Sequence, residues 1–195
     1  MKKLLVLTMV SVTLFSCGSN STTSTTETDT TKVEVSKPVE EELTIGHQHD
    51  EIEGKDYYGI SKPLNLIDGK EGFSINVFFK KSKNEVVYSG LAINATNVGN
   101  CHEEDILYVL FQDGTKTQLK QWNDFNCDGN VYLDLYHKEM KKLNKPIKAF
   151  KLVNGRDYTS YEKTLTDEND INYFINVFKA IESQKITEVK ELPTY

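Results

Sequence analysis

Long apolar runs are scarce in this 195-residue chain. The longest, Leu4 to Phe15, covers about a dozen residues and falls well short of the roughly 20 that a membrane-spanning helix needs. Arginine is scarcer still. Arg156 is the only one, and 23 basic residues against 29 acidic ones leave a formal charge of −6. An acidic chain repels polyanions, which argues against nucleic acid as a partner. Three cysteines are present, with no CxxC spacing, so thiol-disulfide exchange chemistry has no motif. G-x-S-x-G, a P-loop, a dinucleotide glycine pattern and HExxH are all missing. Carboxylates abound, yet no spacing singles out a pair for glycoside hydrolysis. A hydrolase therefore ranks third, behind two binding readings.

The N-terminus carries the clearest signal. Lys2 and Lys3 precede the apolar stretch, and Leu14-Phe15-Ser16-Cys17 closes it with an aliphatic residue, a spacer, a small residue and a cysteine. This order resembles the bacterial lipobox, in which the thiol is acylated and the bond before it is cut. The expectation is a signal peptide over residues 1–16, with Cys17 as the lipidated N-terminus. Each buried acyl methylene contributes about 0.8 kcal/mol, so several chains tether firmly to a membrane without crossing it. Losing Lys2 and Lys3 takes the charge to −8 (21 basic against 29 acidic). Gly18 and Ser19 carry no acidic retention signal, which points to the outer membrane of a Gram-negative cell, facing the periplasm.

Residues 17–45 read as a stalk. Ser19 to Thr31 is mostly Ser and Thr, acidic residues follow around Pro38 to Glu42, and no apolar periodicity offsets the entropy of ordering. A coil of about 28 residues reaches on the order of 30 Å. Residues 46–195 suit one domain. Ile106 to Gln112, Asp113-Gly114 and Thr115 to Lys120 predict a β-hairpin. Ile147 to Val153, Asn154-Gly155 and Arg156 to Leu165 predict another, each closed by a two-residue turn. Phe73 to Lys80 and Val86 to Asn94 form an earlier strand pair, and Val131 to Leu135 a further strand. His137 to Leu143 predicts a short helix before Pro146. A C-terminal amphipathic helix has Asp167, Glu168 and Asp170 in its first turn. Its core stripe is Ile171, Phe174, Ile175, Phe178 and Ile181. The class is α+β, mostly antiparallel β in a sheet or sandwich of hairpins, with one short helix and one C-terminal amphipathic helix.

With Cys17 acylated, Cys101 and Cys127 remain, and an even pair in an exported domain predicts a disulfide. Around the second cysteine runs Trp122-Asn123-Asp124-Phe125-Asn126-Cys127-Asp128-Gly129-Asn130. This FNCDGN block has Asp113-Gly114 before it and Asn154-Gly155-Arg156 after it. Over about Cys101 to Ile181 the chain resembles a group of small, mostly uncharacterised envelope lipoproteins of the Bacteroidota. The resemblance implies envelope location and a shared fold, and no reaction.

Asp124, Asn126, Asp128 and Gly129 also match the opening of a calcium loop, with Phe125 and Cys127 expected to point inward. Position twelve of such a loop falls on Leu135, with Asp134 one residue early. The plainer reading is an Asx/Gly-rich turn held by the disulfide. His47 and His49 sit two apart beside Asp50. They can clasp a divalent ion in an extended segment, or belong to a solvated acidic loop at the stalk's edge. His102-Glu103-Glu104-Asp105 reads as a charged loop. Of the ten tyrosines, Tyr57, Tyr58, Tyr132, Tyr158 and Tyr161 are candidates for a stacking face, although Tyr158 and Tyr161 fall on opposite sides of a regular strand. The expected function is a lipid-anchored, non-catalytic binding or accessory module, taking another envelope protein. The alternative is a calcium- or carbohydrate-binding module using the Asp124–Asp128 loop.

Overall fold

Alternating apolar residues bury one side of every long strand. A computed structural model of the chain describes residues 42–133 and 137–192, with the backbone alone over 137–139. In chain order the elements are β1 (Ile45–Asp50), β2 (Lys55–Ile60), β3 (Leu64–Asn65), β4 (Gly72–Ser82), β5 (Glu85–Thr96), β6 (Ile106–Phe111), β7 (Lys116–Lys120) and β8 (Asn130–Leu133). They continue with α1 (His137–Leu143), β9 (Ile147–Val153), β10 (Ser160–Thr164), α2 (Glu168–Ile171), α3 (Tyr173–Ser183) and β11 (Ile186–Glu188). The class is mostly antiparallel β with short helices.

Two sheets form. The larger runs β11-β1-β2-β4-β5-β8, with β3 added on β4, and the smaller runs β10-β9-β6-β7. Among the described residues, only the contact of β1 with β11 is parallel. In β4 and β5 the period-2 pattern sends Ile75, Val77, Leu91 and Ile93 inward. Leu107, Val109, Phe150 and Leu152 do the same from the smaller sheet, and one apolar cluster joins the two sets. Phe174 and Val177 of α3 enter the same cluster, with the Phe174 ring 6.4 Å from that of Phe150.

Several expectations need correction. The core starts at Leu43 and Ile45, inside the stretch read as stalk. His47 to Asp50 is not a solvated loop but the body of β1, paired with β2 throughout and with β11 at His47. The helix read as continuous from Asp167 breaks at Asn172. Asp167 caps the short α2 by accepting the Asn169 and Asp170 amides, and α3 buries Tyr173, Phe174, Val177 and Ala180. Phe174 of the expected stripe is fully buried, and Ile171, Phe178 and Ile181 pack half-buried against the same cluster, so the apolar face is wider than expected on the side of Tyr173, Val177 and Ala180.

Both turn dipeptides also act differently. Asp113-Gly114 lies in a four-residue loop, where Gly114 alone takes positive φ and Asp113 accepts the Thr115 amide. Asn154-Gly155 opens a six-residue connection, closed by Tyr158 at φ 62°. The expected strand from Val131 to Leu135 is β8 as far as Leu133. Asp134 and Leu135 lie outside the described residues, as do Cys17 and the stretch 1–16 read as a signal peptide.

Candidate functional site

Three connections converge at one end of the domain: residues 97–105 between β5 and β6, 121–129 between β7 and β8, and 154–159 between β9 and β10. Cys101 and Cys127 form the expected disulfide, with Cα atoms 4.0 Å apart. Beside it, His102 and Asn126 exchange backbone hydrogen bonds of 2.7 and 3.1 Å. The FNCDGN segment is therefore stitched to the loop before β6 both covalently and by a small ladder.

Sequence reasoning read His102 and Asp105 as parts of a solvated loop. Both are buried instead. The His102 ring nitrogen Nδ1 lies 2.7 Å from Asp105 Oδ2, and the other carboxylate oxygen accepts the Gly155 amide at 3.0 Å. The Asp105 amide donates to Gln121 Oε1. Asn154, equally buried, donates Nδ2 to the Cys101 carbonyl at 2.8 Å, and its Oδ1 accepts the Arg156 and Asp157 amides. A carboxylate on Nδ1 is the device that orients a catalytic imidazole. Here the imidazole is itself sealed at 1% exposure and the second carboxylate oxygen holds a loop amide, so the pair acts as a brace. Gly155 is required on steric grounds: a Cβ there would stand 2.1 Å from the Glu103 carbonyl oxygen.

In the loop that matches the opening of a calcium site, side chains bond to the loop's own backbone. Asn126 gives its side-chain NH2 to the Asn130 carbonyl at 2.9 Å, and Asp128 accepts the Asn130 amide, closing an Asx turn. Among the described residues, no three His, Cys, Asp or Glu side chains gather as a metal site. Phe125 is not an inward anchor. It is 48% exposed, with the Arg156 guanidinium 4.6 Å from its ring centre.

A second cluster lies on the larger sheet. His47 and His49 do face the same way, but the acids that meet them are Asp56 on β2 and Glu188 on β11. Asp50 instead accepts the Ile52 and Glu53 amides at the turn. His47 bonds Glu188 through Nδ1 at 2.6 Å and Asp56 through Nε2 at 2.9 Å, and His49 reaches the same Asp56 oxygen at 2.9 Å. These contacts hold His47 above the ordinary histidine range, Glu188 first and Asp56 second. They hold Asp56 below the ordinary aspartate range, His49 first. No local signal in the sequence links residues 47, 56 and 188, because the sheet register makes the cluster.

Next to Asp56 the sheet opens. β2 and β4 pair only at Tyr58 with Phe79 and at Gly59 with Phe78, and then part. The gap is a cleft of about 200 Å³ lined by Asp56, Tyr57, Tyr58, Phe78, Phe79 and Tyr132. Trp122, 61% exposed, stands 6.2 Å from the Tyr132 ring, which is 6.4 Å from that of Phe78. Asn76 shares the Phe78 face of β4 two residues away. It is 3% exposed, and its Oδ1 has no hydrogen-bond partner. Of the tyrosines named from sequence, Tyr57, Tyr58 and Tyr132 meet here. Tyr158 stands in the β9–β10 connection, and Tyr161 donates its hydroxyl to Asp68.

Comparison of the chain with protein-family models, with curated proteins and with solved structures finds no match.

The braced loops make a stability prediction. Closing a loop of this length (26 residues of separation) contributes about 3.5 kcal/mol in the chain-entropy model. Cys101→Ala/Cys127→Ala should therefore lower the urea-unfolding free energy by about that amount. A loss under about 1 kcal/mol would mean that the His102, Asp105 and Asn154 contacts alone hold the loops. His47 sets a pH prediction. Its folded pKa is raised, so its contribution is complete below the unfolded value of about 6.5 and fades as pH rises through the folded value. The thermal midpoint should fall as pH climbs above neutrality, and His47→Gln should flatten that part of the profile. A wild-type profile already flat there would contradict it.

Proposed function

We propose that this chain is a lipid-anchored protein of the cell envelope whose domain binds another envelope component without catalysis. The observation that carries the reading is the burial of His102, Asp105 and Asn154, with His102 held by Asp105, and Asp105 and Asn154 held by loop backbone. The buried His102–Asp105 pair braces the fold, and the domain meets solvent through aromatic and charged sheet surfaces. The Cys101–Cys127 disulfide supports an oxidising compartment. The lipobox-like Leu14 to Cys17 and the Ser/Thr-rich stretch after it support a tethered outer-membrane location facing the periplasm. Metabolic labelling with an acyl-chain analogue should mark the protein, and Cys17→Ala should lose both the label and membrane association. In-cell crosslinking should return the same envelope protein in repeated captures. Label retained by Cys17→Ala would sink the anchor, and capture of background alone would sink the accessory role.

A carbohydrate ligand is a second reading, favoured by the orphaned Asn76 carbonyl beside the aromatic cleft. Sugar C–H faces pack on aromatic rings, and a buried amide without a partner is satisfied by a hydroxyl. This cleft replaces the Asp124–Asp128 loop as the place for that ligand. Native affinity gels with envelope polysaccharides should retard the wild type, and Tyr132→Ala with Asn76→Ala should abolish the retardation. Equal migration with and without every glycan removes the option.

A further inference from the structure

The open face of the smaller sheet has no role in either reading. Strand register places Ile106, Tyr108 and Leu110 of β6 on it, with Val153 and Ala149 of β9 alongside. A groove of about 410 Å³ follows this stripe. Lysines stand on both sides of it. Lys116 and Lys120 of β7 lie opposite Leu110 and Ile106, and Lys151 of β9 lies opposite Tyr108. Glu162 of β10 is the acid in the lining, opposite Lys151. Lys116, Lys120 and Lys151 form no ion pair among the described residues, although the chain as a whole carries 29 acids against 23 bases.

Lysines on an edge strand such as β7 discourage unwanted strand pairing. That does not account for Lys151 on the inner strand β9, nor for an apolar stripe running between the two basic flanks. Tyr108, 41% exposed at the middle of the stripe, is the residue type that anchors interfaces.

We propose that this face docks an acidic amphipathic helix from a partner envelope protein, a claim that rests on the binding-module reading and names its surface. Sheet faces with an apolar stripe are ordinarily covered by a helix. From Ile106 to Leu110 the strand advances about 13 Å, the length of roughly nine helical residues. A helix about 10 Å across, seated on β6, overhangs β7 and β9, which lie about 4.8 Å to either side. Its apolar stripe meets Ile106, Tyr108 and Leu110. Glutamates on its two flanks meet Lys116 and Lys120 on one side and Lys151 on the other.

The test uses the full lipidated chain in phosphatidylcholine nanodiscs. The probe is a fluorescent peptide of about 18 residues, a leucine stripe flanked by glutamates, and its twin carries lysines instead. Fluorescence anisotropy should show binding of the acidic peptide that weakens as salt is added. The lysine twin should bind at least tenfold more weakly. Lys116→Glu/Lys120→Glu and Tyr108→Ser should each weaken the acidic peptide at least tenfold, with thermal midpoints near wild type. Lys179→Glu, on α3 away from this face, should leave affinity unchanged. Lys151→Gln, which sets no like charge against Glu162, checks the other flank with a smaller loss. Equal affinity for the two peptides, wild-type affinity in the lysine variants, or no binding at low salt overturns the proposal. Such a failure leaves the binding-module reading in place when in-cell crosslinking still returns one envelope partner, and a failure of both removes that reading too.

Discussion

A side-chain carboxyl group sealed from water needs hydrogen-bond partners for its oxygens. Asp105 meets that demand with His102 on one oxygen and the Gly155 amide on the other. The position matters because the chain changes sheets here. Residues 97–105 carry it from β5 of the larger sheet to β6 of the smaller, and residues 121–129 carry it back from β7 to β8. The disulfide ties the two crossings together, and Asp105 and Asn154 bring in the third connection, between β9 and β10. The chain crosses twice more, through α1 and through α2 and α3, so these two of the four crossings tie the sheets together at one end of their common core.

That anchoring leaves the two outer sheet surfaces free to differ. The larger sheet parts between β2 and β4, and the gap fills with aromatic rings, one carboxylate and a neighbouring buried amide. The smaller sheet stays continuous and shows an apolar stripe between lysines. An acidic chain that gathers unpaired lysines on one face has a strongly uneven potential, and such unevenness orients encounters more than it adds affinity.

The legible parts of the fold were the local ones. β4 with β5, β6 with β7, and β9 with β10 are neighbours in sequence, and alternation plus a turn residue suffices to find them. Turn geometry was less legible, because Asn154 and Gly155 answer to Asp105, Cys101 and Glu103 rather than to a hairpin. The disulfide followed from cysteine parity once Cys17 was set aside. The His47 cluster and the aromatic cleft were hidden for a different reason. Their members come from β1, β2, β4, β8 and β11, and only the register brings residue 47 beside 58 and 188. Short strands such as β3 and β11 carry too few residues to show a period.

The parallel contact of β1 with β11 joins the first strand to the last among the described residues. Val189 donates to the His47 carbonyl, and Leu192 lies over Gly46, so the final residues complete a surface begun some 140 positions earlier. A chain emerging from its N-terminus exposes β1 as a bare edge until the last segment is free. Pairing across such a separation is slow to find, and an open edge invites foreign strands in the interval. The order of synthesis thus leaves the β1 edge of the larger sheet uncovered until β11 has been made.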